Sequence, residues 1–364
     1  MSEVITEVRW RMGLLTLNRP KALNALSLDM VRALSATLLE WADDPGIDAV
    51  ALRGMGRDGP FGAFCAGGDI RFFHQAALAG DPRLEDFFTE EYTLNHLVHR
   101  FPKPLVVFMD GIVMGGGMGI AGHGAAASLR IATERTKMAM PETGIGLFPD
   151  VGGGWFLSRC PGATGEYLAL TGHVIGSADA MSVGLADGVL ASAELAQVWE
   201  ALANGGAPAV TALRERLARQ ASAQDAPLVA HRAVIDRIFS LPTVGEILGA
   251  LESSAGDFAR DTAAVLRKRS PLMLHVVLEQ VRRARGMSFS DELRMERGLV
   301  RHCFHLRPGA ASETVEGIRA LAVDKDHAPR WSPPRVEDIT PEMYQAFFES
   351  PWPAHAHPLS GLDS

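Results

Sequence analysis

Two carboxylates, Glu142 and Asp150, occur in a stretch that is otherwise apolar and rich in glycine and proline. Charged side chains rarely occupy such surroundings unless they are paired or take part in function. Removal from water raises the pKa of a carboxylate and can adapt it to general-base catalysis. The competing interpretation is structural, with Glu142 and Asp150 capping successive helices. These two residues alone do not decide between the interpretations.

Two glycine-rich loops could supply hydrogen-bond donors to the same reaction. The run Gly115-Gly116-Gly117 lets another group approach the backbone closely, because glycine has no Cβ. If a helix begins there, its first N–H groups lack intrahelical partners and could stabilise a carbonyl oxygen that becomes an oxyanion. The loop at residues 65–69 could supply a second donor. The alternative is that both loops are simple tight turns.

The same glycines also match a dinucleotide-binding fingerprint. Residues 117–122 fit G-x-G-x-x-G, and Glu142 lies 20 residues beyond Gly122. However, the preceding strand-like run ends at about Met109, several residues too early. The next strand-like run, at 129–132, begins too soon to leave a full crossover helix. A nicotinamide-dependent oxidoreductase is therefore the less favoured interpretation.

Strands and helices alternate in the first half of the chain, and they must position these groups. Strand-like runs at 4–10 and 14–17 flank a predicted turn at Gly13. Ser27 is a predicted N-cap for a helix that reaches about Asp43. This alternation predicts an α/β fold.

Helical periodicity dominates after about residue 190. The pattern predicts a helix over 271–285 and another that follows an N-cap at Ser288. We expect three parts along the chain. They are a core with the candidate site over 1–200, a helical region over 201–348 and a loose tail over 349–364.

The composition excludes several classes of protein. The 364 residues include 35 Lys and Arg against 43 Asp and Glu, so the formal net charge is -8 and a nucleic-acid partner is not expected. Residues 111–129 lack charged side chains, but seven of them are glycine, which predicts a buried segment and no membrane span. The three cysteines are widely spaced and predict neither a disulfide framework nor a zinc site. The absence of a targeting pattern and the Ala-, Gly- and Arg-rich composition favour a bacterial cytoplasmic protein.

Four motifs together resemble one superfamily. The chain is similar to the crotonase, or enoyl-CoA hydratase/isomerase, superfamily in NRPKALNALS (18–27), FCAGGDIR (64–71), DGIVMGGGMGIAGHG (110–124) and MPETGIGLFPDVGGGWFLSR (140–159). The FPDVGGG of the last motif specifically resembles the 3-hydroxyisobutyryl-CoA hydrolases, as do EEYTLNHLV (90–98) and the segments 267–299 and 316–331. The resemblance covers almost the whole chain in order, and it implies a spiral ββα core with a C-terminal helical region.

The resemblance implies roles for individual residues. The two backbone N–H groups of the oxyanion hole fall on Ala66 and Gly116. Hydratases of the superfamily carry two catalytic glutamates, of which one falls on Glu142 and the other on Gly119. Because glycine has no carboxyl group, this departure argues against ordinary enoyl-CoA hydration.

In the hydrolase branch, the resemblance implies an acidic pair at Glu142 and Asp150, with Glu91 as a further substrate contact. The implied substrate-binding residues also include two backbone segments, which are Ala22 and Leu23 in the first motif and Gly67, Gly68 and Asp69 in the second. Lys21 and Arg71 could approach the CoA phosphates, although exposed basic residues more often have no such role.

The activity that the resemblance implies is hydrolysis of a short 3-hydroxyacyl-CoA thioester, first of all 3-hydroxyisobutyryl-CoA in valine catabolism. Glu142 would activate water or attack the carbonyl directly to give an acyl anhydride. We expect no cofactor and no metal, since coenzyme A is part of the substrate. The alternatives are isomerisation of an enoyl-CoA with Glu142 as the sole proton shuttle, and acyl-CoA binding without catalysis. Homo-oligomerisation stays open, because many crotonases form trimers or paired trimers, whereas the long C-terminal helical extension could cover that surface.

Overall fold

The structure is a computed structural model, and it describes residues 2–123, 128–220 and 226–363. Gly124, the last residue of the third motif, lies outside the described residues. Two compact units are each built from three chain segments. The sheet unit comprises Met1–Gly68, Thr93–Ala139 and Val174–Val229, and the helical unit comprises Asp69–Tyr92, Met140–His173 and Ala230–Ser364.

The sheet unit contains the strands of the described residues. In chain order they are β1 (Val4–Arg9), β2 (Met12–Leu17), β3 (Ala49–Gly56), β4 (Gly59–Pro60), β5 (Leu105–Met109), β6 (Ile112–Met114), β7 (Ser128–Ala132), β8 (Lys137–Ala139) and β9 (Gly188–Val189). The main sheet has the order β1-β2-β3-β5-β7-β9, with β4 paired to β3, and β6 pairs with β8. The β1–β2 pair is antiparallel, whereas every later pair along the main path is parallel. The continuous apolar run of β5 suits a parallel strand buried on both faces.

The helices of the described residues follow in chain order. They are α1 (Leu28–Asp43), α2 (Ile70–Ala79), α3 (Arg83–Arg100), α4 (Gly116–Gly119), α5 (Gly153–Ser158), α6 (Thr164–Thr171), α7 (Ser177–Ser182), α8 (Leu195–Gln220), α9 (Pro227–Phe239), α10 (Val244–Ser253), α11 (Asp257–Leu266), α12 (Pro271–Ala284), α13 (Phe289–His305), α14 (Glu313–Ile318) and α15 (Pro341–Gln345). The predicted α/β fold with a C-terminal helical region is therefore confirmed. The nicotinamide interpretation gains no support, because α4 has four residues and β7 begins at Ser128, which leaves no room for a full crossover helix.

Helix caps are the local features that the sequence indicates best. The Ser27 hydroxyl accepts a hydrogen bond from the Met30 N–H at 3.2 Å, and the helix ends at Asp43 as predicted. Ser288 likewise accepts from the Asp291 N–H at 3.1 Å and begins α13. Both predictions are confirmed, because a side-chain cap depends on residues only three positions apart.

The predicted turn at Gly13 is wrong. The connection between β1 and β2 lies at Trp10 and Arg11, and Gly13 pairs with Val8 inside the hairpin. Glycine is needed at this position for packing, since a Cβ there would lie 2.5 Å from the ring of Trp41. Trp10 itself has the left-handed φ of 52° that the turn requires.

The sheet unit has one large apolar core. α8 packs on β2 and β3 and contributes Trp199 and Leu202, which are nearly inaccessible to solvent. β5 adds Val106 and Phe108 from the centre of the sheet. This core supports β3 and β5, and the two glycine-rich loops follow the next short strands, β4 and β6.

The last residues of the chain make specific contacts, in contrast to the loose tail expected from the sequence. Leu359 is 1% exposed, and the Asp363 carboxylate accepts a hydrogen bond from Ser290 at 2.6 Å. Asp363 also pairs with Arg294 at 2.9 Å. One apolar anchor and one ion pair therefore attach this segment to α13.

Candidate active site

Backbone hydrogen bonds join the two glycine-rich loops of the sheet unit. The Cys65 N–H donates to the Ile112 carbonyl at 2.9 Å, and the Met114 N–H donates to the Cys65 carbonyl at 3.0 Å. The loops approach so closely that a Cβ at Gly117 would lie 2.5 Å from the Cys65 carbonyl oxygen. Gly116 is the first residue of α4, so its N–H has no intrahelical acceptor. This is the local arrangement that an oxyanion donor requires.

Ala66 lies beside this helix start, but its N–H has an acceptor in the structure. It donates to the Leu23 carbonyl at 3.0 Å. The next residue, Gly67, is so close to α4 that a Cβ on it would lie 3.7 Å from the Gly116 nitrogen. The structure thus brings the two predicted donors, Ala66 and Gly116, into one neighbourhood, and it places a backbone carbonyl on the first of them.

Asn24 holds the segment that carries Leu23, and sequence reasoning missed it. Its side chain is fully buried, and Nδ2 lies 3.0 Å from the Ala63 carbonyl and 3.1 Å from the Phe64 carbonyl. Leu23 and Asn24 both have left-handed φ values, 51° and 56°. Non-glycine residues rarely adopt this conformation, so the amide contacts of Asn24 stabilise a strained turn.

The remaining predicted substrate-binding residues lie in the same two segments. Ala22 ends the short 3₁₀ turn Pro20–Ala22, and the Gly67 carbonyl accepts from the Leu26 N–H at 2.7 Å. Gly68 forms an isolated bridge with Leu26. Asp69, in the helical unit, caps α2 by accepting from the Phe72 N–H at 3.3 Å. The cap is a structural role for Asp69, while its predicted role in substrate binding stays a prediction.

The helical unit contains a group of buried carboxyl groups, which we call the acid cluster. Its members are Glu91, Glu142, Asp150, Glu292 and Glu296, and none of them is more than 6% exposed. Glu91 lies on α3, Glu142 and Asp150 lie in the fourth motif, and Glu292 and Glu296 lie on α13. Two predicted catalytic residues and one predicted substrate contact therefore belong to one cluster.

Asp150 projects from an unusual turn. The two residues after it, Val151 and Gly152, have φ values of 58° and 85°. Its carboxyl group accepts a hydrogen bond from the Tyr92 hydroxyl at 3.1 Å. Burial and the charge of Glu296 raise the pKa of Asp150 to about 8, although the Tyr92 hydrogen bond acts in the opposite direction. Asp150 can therefore carry a proton at neutral pH and donate it.

Glu142 is the first residue of the 3₁₀ turn Glu142–Ile145. Its Oε2 atom is buried and has no hydrogen-bond partner among the residues that the structure describes. Burial raises the pKa of Glu142 well above its usual range, and the charge of Asp150 raises it further. The Arg269 guanidinium opposes this shift. A desolvated carboxyl group of this kind is a strong proton acceptor once it ionises.

Glu91 has the same character. Its Oε1 atom is buried without a partner in the described part of the chain. Burial raises the pKa of Glu91, and the charges of Asp150 and Glu296 add to the effect. Because these carboxyl groups repel one another when ionised, the acid cluster holds protons at neutral pH.

Glu292 and Glu296 are functional candidates that sequence reasoning missed. A signal was present, since two glutamates spaced by four residues lie on one face of a helix. Leu293 and Val300 of the same helix are fully buried, so that face is apolar. Acidic residues among apolar ones on a helix face are rare unless they serve a purpose.

The histidines and cysteines near α13 do not form a metal site. Among residues 2–123, 128–220 and 226–363 there is no group of three or more His, Cys, Asp or Glu side chains suited to a metal ion. His302 contacts the Glu349 carbonyl at 2.8 Å, and His305 contacts Glu85 at 2.7 Å. Cys65, Cys160 and Cys303 are buried free thiols.

No helix in the described ranges has the length and apolarity that a membrane span requires.

Comparison with known proteins places this geometry in a family. A family profile described as "Enoyl-CoA hydratase/isomerase" matches residues 12–348. The mitochondrial 3-hydroxyisobutyryl-CoA hydrolase of Rattus norvegicus is 39% identical over 355 residues, which cover 96% of this chain and 89% of the relative. The probable 3-hydroxyisobutyryl-CoA hydrolase 3 of Arabidopsis thaliana is 38% identical, with 96% and 92% covered.

Two solved structures have nearly the same fold. A protein described as a carnitinyl-CoA dehydratase from Mycobacterium thermoresistibile superposes with a TM-score of 0.86 at 36% identity, covering 99% of both chains. One described as an enoyl-CoA hydratase from Rhodobacter sphaeroides gives 0.85 at 35% identity, covering 96% of this chain and 97% of the other. The chain therefore belongs to the enoyl-CoA hydratase/isomerase family, in the branch that contains the 3-hydroxyisobutyryl-CoA hydrolases.

Proposed function

We propose that this protein hydrolyses 3-hydroxyisobutyryl-CoA, a short 3-hydroxyacyl-CoA thioester of valine catabolism, to 3-hydroxyisobutyrate and CoA. The observation that carries the proposal is the buried pair of Glu142 and Asp150, in which the charge of Asp150 adds to burial in raising the pKa of Glu142. The relatives that align with 96% of the chain are named for this reaction, which supports the same conclusion.

In this proposal the backbone N–H groups of Ala66 and Gly116 polarise the thioester carbonyl. Negative charge grows on the carbonyl oxygen as the carbon is attacked, and one well-placed donor stabilises that charge by about 3 kcal/mol. Because the Ala66 N–H donates to Leu23 in the free chain, the substrate carbonyl has to replace or share that acceptor.

Glu142 acts as the base or as the nucleophile. As a base, it removes a proton from water while the water oxygen attacks the carbonyl carbon. The tetrahedral intermediate then collapses, the C–S bond breaks and CoA leaves as a thiolate. As a nucleophile, the Glu142 carboxylate attacks the carbonyl carbon, the C–S bond breaks and CoA leaves as a thiolate, which gives an acyl anhydride that water hydrolyses in a second step. Either route requires an ionised Glu142, and neither requires a metal.

Asp150 and Glu91 recognise the acyl group. A protonated Asp150 donates a hydrogen bond to the 3-hydroxyl of the substrate or assists proton transfer, and Glu91 fixes the short acyl chain. The CoA portion contacts the backbone segments at Ala22 and Leu23, and at Gly67, Gly68 and Asp69. We also propose a bacterial cytoplasmic location, which rests on composition.

Hydration or dehydration of an acyl-CoA is the second candidate. The descriptions of the two solved structures cited above favour it. Against it stands Gly119, a buried glycine in α4 at the position where the resemblance to hydratases implies a second glutamate. Acyl-CoA binding without turnover is the third candidate, and the preserved acidic pair argues against it.

The decisive experiment follows thiol release from 3-hydroxyisobutyryl-CoA, with hydration of crotonyl-CoA measured in parallel. We expect rapid release by the native chain, loss of release in Glu142→Ala and no hydration. Glu279→Gln, on the partly exposed side of α12, is the matched control and should keep full activity. Hydration without thiol release would overturn the hydrolase proposal, and CoA binding without either reaction would favour the third candidate.

A further inference from the structure

The turn that carries Asp150 is held in a conformation that it would not adopt alone. Val151 has a φ of 58°, in the left-handed region, which is strongly unfavourable for β-branched residues. Gly152 follows with a φ of 85°. Such strain persists only where surrounding contacts enforce it. The contacts that enforce it here come from a side chain 144 residues later in the sequence.

Glu296 supplies these contacts through both carboxyl oxygens. Its Oε2 atom accepts from the Gly152 N–H at 2.8 Å, and its Oε1 atom accepts from the Gly154 N–H at 3.2 Å. Gln280 completes the arrangement, because its Nε2 group donates to Glu296 Oε1 at 3.0 Å and to the Pro149 carbonyl at 2.7 Å. The backbone on both sides of Asp150 is therefore bound to one buried carboxyl group and its amide neighbour.

Glu292 lies against the same carboxyl group. A Cβ at Gly154 would lie 2.5 Å from Glu292 Oε1, so only glycine leaves room for it. Two carboxyl groups can hydrogen-bond only when one of them holds a proton. Burial and the neighbouring Glu292 raise the pKa of Glu296 well above its usual range, although the backbone N–H groups of Gly152 and Gly154 act in the opposite direction. The two carboxyl groups therefore share a proton.

We propose that Glu296 is the positioning residue for Asp150, because it binds the backbone of the Asp150 turn through both carboxyl oxygens. This inference rests on the proposed hydrolase function only for the catalytic role of Asp150. Glu296 itself touches neither water nor substrate in this scheme, since it is fully buried behind the turn.

The charge on Glu296 has a second consequence for Asp150. It is the largest charge effect that raises the pKa of Asp150, after burial itself. The titratable groups that face Asp150 from the surrounding elements are Glu91 and Tyr92 on α3, Glu142 on the 3₁₀ turn, and Glu292, Glu296 and Cys303 on α13. None of these groups is a cation, so removal of the charge on Glu296 should allow Asp150 to ionise at lower pH.

The test compares Glu296→Gln with the control variant Glu279→Gln in the full chain. Glutamine at 296 places an amide N–H₂ against one of two backbone N–H groups, so one anchor is lost. We expect kcat for thioester hydrolysis to fall about 10- to 100-fold, because a catalytic group displaced by about 1 Å costs this much. We expect KM to change less than threefold and the pH limb that reports Asp150 to move to lower pH. Glu279→Gln changes a partly exposed carboxylate that pairs with Arg283, and it should leave kcat within threefold.

Hydrogen exchange provides a readout that does not depend on catalysis. The amides of Gly152 and Gly154 should lose protection in Glu296→Gln and keep it in Glu279→Gln. If exchange rises in Glu296→Gln while kcat per folded molecule and the pH profile stay unchanged, Glu296 is merely structural and the proposal is wrong. Equal damage by both variants would also contradict it. If the native chain hydrolyses no thioester, the proposed function fails, and the exchange data alone still decide whether Glu296 holds the turn.

Discussion

Two groups of ionisable residues include members on the same pair of helices, α3 and α13, but the pKa values of their buried carboxyl groups are shifted in opposite directions. The acid cluster includes Glu91 of α3 and Glu292 and Glu296 of α13. The second group, which we call the ion-pair cluster, comprises Glu85 of α3 and Arg297, Arg301 and His305 of α13. In the ion-pair cluster Glu85 lies 2.6 Å from the Arg297 guanidinium, whose side chain is 1% exposed. It also lies 3.0 Å from Arg301 and 2.7 Å from His305.

The presence or absence of cations decides the protonation state. Burial alone would raise the pKa of Glu85, but His305 and the two arginines lower it to about 2. In the part of the chain that the structure describes, Glu296 and Tyr92 rather than cations act on Asp150, and its pKa rises to about 8. A buried carboxyl group with cationic partners is ionised at neutral pH and forms ion pairs, whereas one without such partners keeps its proton at neutral pH. We therefore expect the ion-pair cluster to contribute to the stability of the helical unit and the acid cluster to contribute to catalysis.

The largest expected effect concerns catalysis. Glu142→Gln should lower the rate of CoA release by about 10²- to 10⁴-fold, which is the usual contribution of a general base. The same variant should leave the free energy of unfolding unchanged or raise it, because an amide costs less to bury than an ionisable acid. Thiol release and denaturant unfolding measure the two quantities. If Glu142→Gln is both inactive and strongly destabilised, the acid cluster contributes to stability as the ion-pair cluster does, and the proposed difference between the clusters is wrong.

The ion-pair cluster should show the reverse. Glu85→Gln leaves the buried Arg297 without its carboxylate and should lower the free energy of unfolding by about 3 kcal/mol. The rate of CoA release per folded molecule should stay near the native value. Urea unfolding followed by circular dichroism checks the first expectation, and the thiol assay checks the second. Little loss of stability would mean that Arg297 finds another partner.

The two clusters also predict opposite slopes of stability against pH. Asp150 has a folded pKa of about 8 against an unfolded value of 3.8, so its contribution is complete below pH 4 and is lost as pH rises towards 8. Glu85 has a folded pKa of about 2 against 4.5, so its contribution is complete above pH 5 and is lost as pH falls towards 2. The free energy of unfolding should therefore be greatest near pH 4 to 5. Asp150→Asn should flatten only the upper slope, and an unchanged upper slope would assign it to other groups.

The smallest effect is expected at exposed ion pairs. Arg260 pairs with Asp257 at 2.7 Å, but both side chains are more than two-thirds exposed. Arg260→Gln should change the free energy of unfolding by less than about 0.5 kcal/mol, because water screens such pairs. Thermal unfolding at low and high salt measures the difference. A change as large as that of Glu85→Gln would show that cation partners matter regardless of burial.

Local chemistry explains what the sequence could predict. Ser27 and Ser288 each cap a helix through a residue three positions away, so the pattern is visible in the chain itself. The apolar surroundings of Glu142 and Asp150 likewise indicated burial. Long-range packing explains the failures. The local sequence predicts a turn at Gly13, because the packing against Trp41 that requires a glycine there involves another element and is not visible in the local pattern.

The same reasoning applies to the candidate site. Nothing near Glu296 in the sequence indicates that its carboxyl group binds Gly152, because the contact depends on how α13 packs. The hydrogen bond from the Ala66 N–H to Leu23 also joins distant segments, and only the structure places a carbonyl at the predicted oxyanion hole. Motifs identify the residue types of a site, whereas tertiary packing determines their partners and their protonation.

The acid cluster also changes how the whole molecule should migrate in an electric field. The formal net charge of -8 counts every carboxyl group as ionised. Because Asp150 and its neighbours keep protons in the folded state, the native chain is less anionic at pH 7 than its composition implies. Those protons are released when the chain unfolds. Native isoelectric focusing should therefore place the folded protein at a higher pH than focusing of the same chain in urea.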